Sequence, residues 1–304
     1  MVTDEPRSTT DITVNLDGLW LVQALLGIAR LAPELRGRPY GQPRSTQWLT
    51  AHPGLGVLVE QGICDDAGVV RADIAARMAV LAAPDVEVVV VVSNGAMNAA
   101  TPVVLEDRAT WRAIPDEQLR IVLARRNGRW ASAARAGSYI TIDDCGQVDQ
   151  ERLERLGEQA LDSVHRVGPA RISAVNVPLD DMLAAVREHA QAGTVAAKRA
   201  ALRAVGLRGA VLAELGAVLE EPVAEAVMYA RAYTDADTAW CESVLNLRDT
   251  ASGRVALYRL SPPRGSQQDW MTIAPATPAQ IHHAVTTVLS SVPVRSWDRH
   301  ERMS

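Results

Sequence analysis

The chain has 304 residues, room for one large domain or two smaller ones, and its 48% apolar against 22% charged content is globular, not disordered. Its net charge of −5 is spread along the chain, so no basic stripe awaits a nucleic-acid backbone and no cationic cluster awaits an anionic membrane. Seven Trp and five Tyr must supply all aromatic packing, because there is no Phe.

The first eleven residues are polar and acidic and lack the basic-then-apolar pattern of a signal peptide, so a cytoplasmic protein is expected. A short strand is predicted over 12–15. It leads into a helix over 18–31 whose apolar residues (Leu19, Trp20, Val22, Leu25, Leu26, Ile28) lie on nearly every side, the mark of burial. Pro53-Gly54-Leu55-Gly56 offers a GxG, but no strand enters it and no third glycine follows. It therefore reads as the turn that starts a helix over 55–61, not as a dinucleotide fingerprint. A further helix over 72–81 is ended by Pro84. The run Val88 to Val92 is too short to span a bilayer and too β-branched for a helix, which predicts a buried strand over 86–93.

The long segment 93–117 follows, carrying Met97, Val103, Val104, Leu105, Trp111 and Ile114 among small and polar residues. Loops of this length are usually functional or disordered, and this one is too apolar for a solvated linker. Two interpretations stay open: an adaptable hydrophobic arm for a protein partner, or a loop folded back on its own core.

A meander comes next. Leu119, Ile121 and Leu123 share one strand face, and Asn127-Gly128 supplies the positive-φ pair of a type I′ hairpin turn. Trp130 opens the return strand, and Gly137 turns the chain into a third strand over 139–143. In that strand Tyr139, Thr141 and Asp143 alternate with Ile140 and Ile142, so they form a second candidate contact surface if the isoleucines face the core. Asp143-Asp144-Cys145 has no His nearby to activate a thiol and is explained by acidic residues closing a strand. Asp149 then caps a helix with Leu153, Leu156, Ala160 and Val164 on one stripe.

The second half repeats this order, the start of each copy being marked by Val14-Asn15-Leu16-Asp17 and Val175-Asn176-Val177-Pro178. A strand over 172–176 feeds a helix with core face Leu179, Met182, Leu183 and Val186 and with Asp180 and Asp181 in its first turn. An alanine-rich helical stretch over 195–233 is broken at Gly206, Gly209 and Pro222. Strands over 243–247, 255–260 and 270–273 form a second meander. The capping box Thr277-Pro278-Ala279-Gln280 opens a last helix with stripe Ile281, Val285, Val288 and Val292.

These elements predict an α+β protein, residues 10–167 and 172–297 forming two pseudo-twofold-related halves of a single domain. Antiparallel sheets carry flanking helices, with a helical bundle in the second half. Cys64, Cys145 and Cys241 are too far apart in sequence for a metal pair and are expected to be free thiols. His282 and His283 point about 100° apart on a helix and so cannot jointly chelate an ion. No P-loop, HExxH, GxSxG or paired-cysteine zinc pattern is present, so neither catalysis, nor a cofactor, nor a metal is expected.

The segments just described resemble the EspG family of ESX (type VII) secretion-associated proteins. The resemblance rests on Thr10-Asp11-Ile12-Thr13-Val14-Asn15, Gln23-Ala24-Leu25-Leu26, Ala32-Pro33-Glu34-Leu35-Arg36 and Leu81-Ala82-Ala83-Pro84-Asp85. It continues through Val122-Leu123-Ala124-Arg125-Arg126, Ala174-Val175-Asn176-Val177-Pro178 and Ala274-Pro275-Ala276-Thr277-Pro278, so it spans nearly the whole chain. It implies a cytosolic chaperone of mycobacterial type that binds the apolar tip of a PE–PPE heterodimer, mainly through the PPE subunit. Such a chaperone keeps the dimer soluble and delivers it to the secretion machinery. Carried over to this chain, the contact surface would use Ser93, Asn94, Gly95, Met97, Val103, Leu105 and Trp111 of the long loop. Tyr139, Thr141 and Asp143 of the third meander strand would join them, with Tyr233 at the end of the alanine-rich helices. The rival expectation is a small-molecule-binding or enzymatic α+β protein with a dispersed site, and a third is a structural homo-oligomer.

Overall fold

The computed structural model describes residues 11–37, 47–97, 118–234, 237–260 and 268–302. In chain order the first elements are β1 (Ile12–Asn15), α1 (Leu16–Leu26), α2 (Leu55–Glu60), α3 (Ala72–Ala82) and β2 (Val86–Asn94). The meander β3 (Gln118–Arg126), β4 (Arg129–Ala136) and β5 (Tyr139–Gly146) follows, then α4 (Gln150–Asp162). Next come β6 (Val175–Pro178), α5 (Leu179–Gln191), α6 (Val195–Ala204) and α7 (Gly209–Val218). The chain closes with β7 (Ala224–Tyr233), β8 (Thr238–Trp240), β9 (Leu245–Thr250), β10 (Gly253–Leu260), β11 (Trp270–Pro275) and α8 (Pro278–Ser290). Every pairing described below is antiparallel, and the class is α+β. Among the described residues no helix is long and apolar enough to cross a membrane.

The described residues of Met1–Asp85 and Ala100–Val148 make one unit, with strand order β1-β5-β4-β3. Asn15 caps α1 by accepting from Gly18 N at 2.7 Å. The helix ends at Gly27, which takes φ 68° and donates to Ala24 O, so it stops short of the predicted residue 31 and leaves Ile28 outside it. A left-handed glycine closing a helix outweighed the apolar residues beyond it. The β3–β4 turn has the expected geometry, with Asn127 at φ 49° and Gly128 at φ 76°. One face of this sheet is buried, through Ile12, Val14, Ile140, Ile142, Ala131, Ala133 and Val122.

The second unit holds the described residues of Val86–Ala99 and Asp149–Ser304, with strand order β2-β7-β9-β10-β11-β6 and β8 paired to β7. Helices α4 and α8 cover one face of its sheet. Beneath them lie Val86, Val88, Val90 and Val92 of β2, the alanines and Met228 of β7, and Leu245 and Leu247 of β9, all buried. Asp149 caps α4 by accepting from Arg152 N at 2.8 Å, and Thr277 caps α8 through Gln280 N at 3.3 Å. On the other face α5, α6 and α7 pack over β6, β10 and β11, burying Met182, Leu202, Leu215, Val255 and Ile273 in one cluster.

Further expectations are corrected. Residues 224–233 form β7, not the end of a helix, because small residues (Ala224, Ala226, Ala230, Ala232) alternate with large ones and α4 packs on the small side. The strand expected over 172–176 lies at Val175–Pro178, and β8 was not foreseen. Val164 lies beyond the end of α4 and is exposed. On α5 the buried residues are Met182, Ala185 and His189, while Leu183 is exposed, a shift of one helical step in the core-facing stripe.

Candidate functional site

The sheet of the second unit is covered unevenly. Its α5–α7 side leaves β2 and β7 partly open, and there Val91, Val227, Tyr229, Asn246 and Arg248 are half-exposed on a single face. Register explains the grouping: Val91 pairs with Val227 and Val227 with Asn246, while Glu225 faces both Ser93 and Arg248. Strand β8 adds Trp240 opposite Arg231 at the edge. Trp240 is 51% exposed, its ring centroid lies 6.1 Å from that of Tyr229, and the Arg231 guanidinium sits 5.0 Å from its ring centre. Arg231 is in turn ion-paired to Glu87, both fully buried. A cation held over an aromatic ring and neutralised from below fixes the indole in place.

The loop root is anchored on the same face. The Gly95 N–H donates to Val223 O at 2.7 Å and the Met97 N–H donates to Glu225 Oε2 at 2.7 Å. Glu225, 7% exposed, is also paired with Arg248 at 2.7 Å. Ser93 is buried, its hydroxyl reaching Ala96 O at 3.4 Å, whereas Asn94 is exposed. Gly95 takes φ 87°, a conformation that favours glycine and turns the chain out of β2. Of the other loop residues, Val103, Leu105 and Trp111 lie outside the described residues.

Tyr233 belongs to β7, where its hydroxyl donates to Glu87 Oε2 at 2.6 Å and its ring lies 5.7 Å from the Arg231 guanidinium. It is half-buried and braces the Glu87–Arg231 pair beneath Trp240. Tyr139, Thr141 and Asp143 belong to the first unit, and their alternation holds: Ile140 and Ile142 are buried, while Tyr139 is 63% exposed. Thr141 and Thr13 share a hydroxyl–hydroxyl hydrogen bond of 2.9 Å across β5 and β1. Beside Tyr139 a cleft of 250 Å³ is lined by Val14, Leu21, His52, Val57 and Gln61.

Sequence inspection missed Val91, Val227, Tyr229, Trp240, Asn246 and Arg248. The period-2 alternation of Val227, Tyr229, Arg231 and Tyr233 was the available signal, masked by the alanines between them. The free thiols expected at Cys64, Cys145 and Cys241 are present, and Gly54 stands at the start of α2 as a turn. Among the described residues no group of three or more His, Cys, Asp or Glu is placed to hold a metal.

Comparison with known proteins gives consistent results. The sequence profile of the EspG family matches residues 15–287. The ESX-5 secretion-associated protein EspG5 of Mycobacterium tuberculosis is 43% identical over 304 residues, covering 99% of this chain and all of that protein. EspG5 of Mycobacterium marinum is 43% identical over 300 residues with the same coverage. A solved structure of the M. tuberculosis type VII secretion system chaperone EspG5 in complex with a PE25–PPE41 dimer matches 96% of this chain and all of its own, with a TM-score of 0.84 and 41% identity.

Proposed function

We propose, from the premise that the chain belongs to the EspG family, that it is a secretion chaperone that binds a PE–PPE heterodimer. It covers the apolar tip of the PPE subunit, keeps the dimer soluble and presents it to a type VII secretion machinery. This places its work in the cytoplasm, before export, and assigns it no catalytic step. The observation that carries the proposal is the near-complete match, at 41% identity, to a chaperone solved with its PE25–PPE41 cargo.

The chemistry of the half-exposed face agrees with such cargo. It combines β-branched and aromatic surface (Val91, Val227, Tyr229, Trp240) with charges already neutralised in pairs, Glu225 with Arg248 and Glu87 with Arg231. Apolar cargo covering paired charges strands fewer uncompensated groups than it would over free ones. Ser93, Asn94, Gly95 and Met97 form the rim of this face at the loop root, and Tyr233 supports it from within. Tyr139, Thr141 and Asp143 are proposed as a second contact strip, and Val103, Leu105 and Trp111 as the loop's own contacts.

Co-expression with the PE25–PPE41 dimer and with PE–PPE dimers of the chain's own genome, followed by size-exclusion chromatography with light scattering, tests the proposal. A complex containing one copy of each chain is expected. Val227→Asp should abolish it while leaving the chaperone folded. If no dimer binds the wild-type chain, the chaperone assignment falls; if Val227→Asp binds normally, the placement of the site falls.

A further inference from the structure

Asn246 is out of character with its surroundings. It occupies a central strand, where Asn is disfavoured, and its two cross-strand neighbours are Val227 and Leu257. Its side-chain oxygen is buried and makes no hydrogen bond with any described residue. Nearly all buried polar groups in folded proteins are satisfied, and leaving one unsatisfied destabilises the fold. A leucine has almost the same shape and would suit the position better. Violations of local rules of this kind are expected where function constrains the residue.

The position supplies the function. Along the row Val91, Val227, Asn246, Leu257, Ile273, the first four are half-exposed, while Ile273 is fully buried in the cluster beneath α5–α7 and Leu257 packs against that cluster. α7 packs against β9, the strand that carries Asn246. The residue therefore stands on the open face one strand away from the helix-covered cluster, where an inserted tip would come to rest.

We propose that Asn246 is a specificity-determining residue: its amide hydrogen-bonds a polar main-chain or side-chain group at the inserted end of the cargo, and the chain retains it at the expense of its own stability. This rests on the chaperone proposal above. An apolar tip alone would select only for greasiness; one amide set among valine and leucine also selects for a matching polar group, since cargo lacking it would leave both sides unpaired.

The test pairs two readouts on Asn246→Leu, with Asn246→Val as a second variant. Thermal unfolding of the free chain is expected to shift up by roughly 2 °C or more, because the unsatisfied group is gone. The dissociation constant for the PE25–PPE41 dimer, by calorimetry, is expected to weaken about tenfold. A merely structural Asn would give the opposite sign in the first readout. The inference is overturned if both variants lower the midpoint, or if affinity is unchanged. Should the wild-type chain bind no PE–PPE dimer, the chaperone proposal fails and takes this inference with it, whatever the unfolding arm shows.

Discussion

Glu225 holds together three parts of the second unit: β7, which carries it, β9 through Arg248, and the root of the long loop through the Met97 N–H. Glu225→Ala removes a hydrogen bond to a charged acceptor, worth about 1.5–3 kcal/mol. It also leaves Arg248 without its counter-charge. That guanidinium is 15% exposed and still donates to Glu220 O at 3.2 Å, so its cost lies between those of surface and buried pairs, about 1 kcal/mol. The expected loss is about 3 kcal/mol, read from urea unfolding. Glu225→Met combined with Arg248→Met removes both charges and should recover part of it, since no unpaired charge remains. Hydrogen exchange supplies a local check: the Met97 amide should be protected in the wild type and fast in Glu225→Ala. A loss below about 1 kcal/mol, or a double variant less stable than the sum of its parts, would refute the anchoring argument.

Three further expectations can be checked independently. Gly253 takes φ 112°, and a Cβ there would lie 2.6 Å from Ala170 Cα, so Gly253→Ala should cost about 3 kcal/mol or more or prevent folding, measured by circular dichroism and denaturation. Burial of His189 in α5, reinforced by Lys198 and opposed by Glu220, holds its imidazole below the usual value. The folded state thus binds fewer protons than the unfolded one: stability is full above the unfolded value of about 6.5 and is lost as pH falls through the folded one. His189→Leu should flatten that slope in unfolding curves taken over the same range. Trp240→Ala should weaken binding of the PE25–PPE41 dimer by about tenfold, titrated by calorimetry, without lowering the expression of soluble chaperone.

Much of the fold was legible because its local signals do not depend on distant partners. The valine run of β2, the Asn127-Gly128 turn and the caps at Asp149 and Thr277 carry their meaning within four or five residues. β7 was illegible for the opposite reason. Its alanines favour a helix in isolation, and they are there because α4 lies close over that strand, where Gly157 also brings the helix near Leu247. The candidate face was hidden in the same way. Val91, Val227 and Asn246 come from three strands, and only the register that aligns them turns three unremarkable residues into a row.

The pairing of β2 with β7 has a consequence for biosynthesis. Val86 faces Ala232 and Asn94 faces Ala224, although the intervening chain contains a complete meander and four helices. At bacterial elongation rates β7 leaves the ribosome on the order of ten seconds after β2. During that interval a strand of almost uninterrupted valine cannot make its β7 contacts, and closing so large a loop slows folding further. The chain thus passes through a stage in which its own most apolar strand is short of a mate.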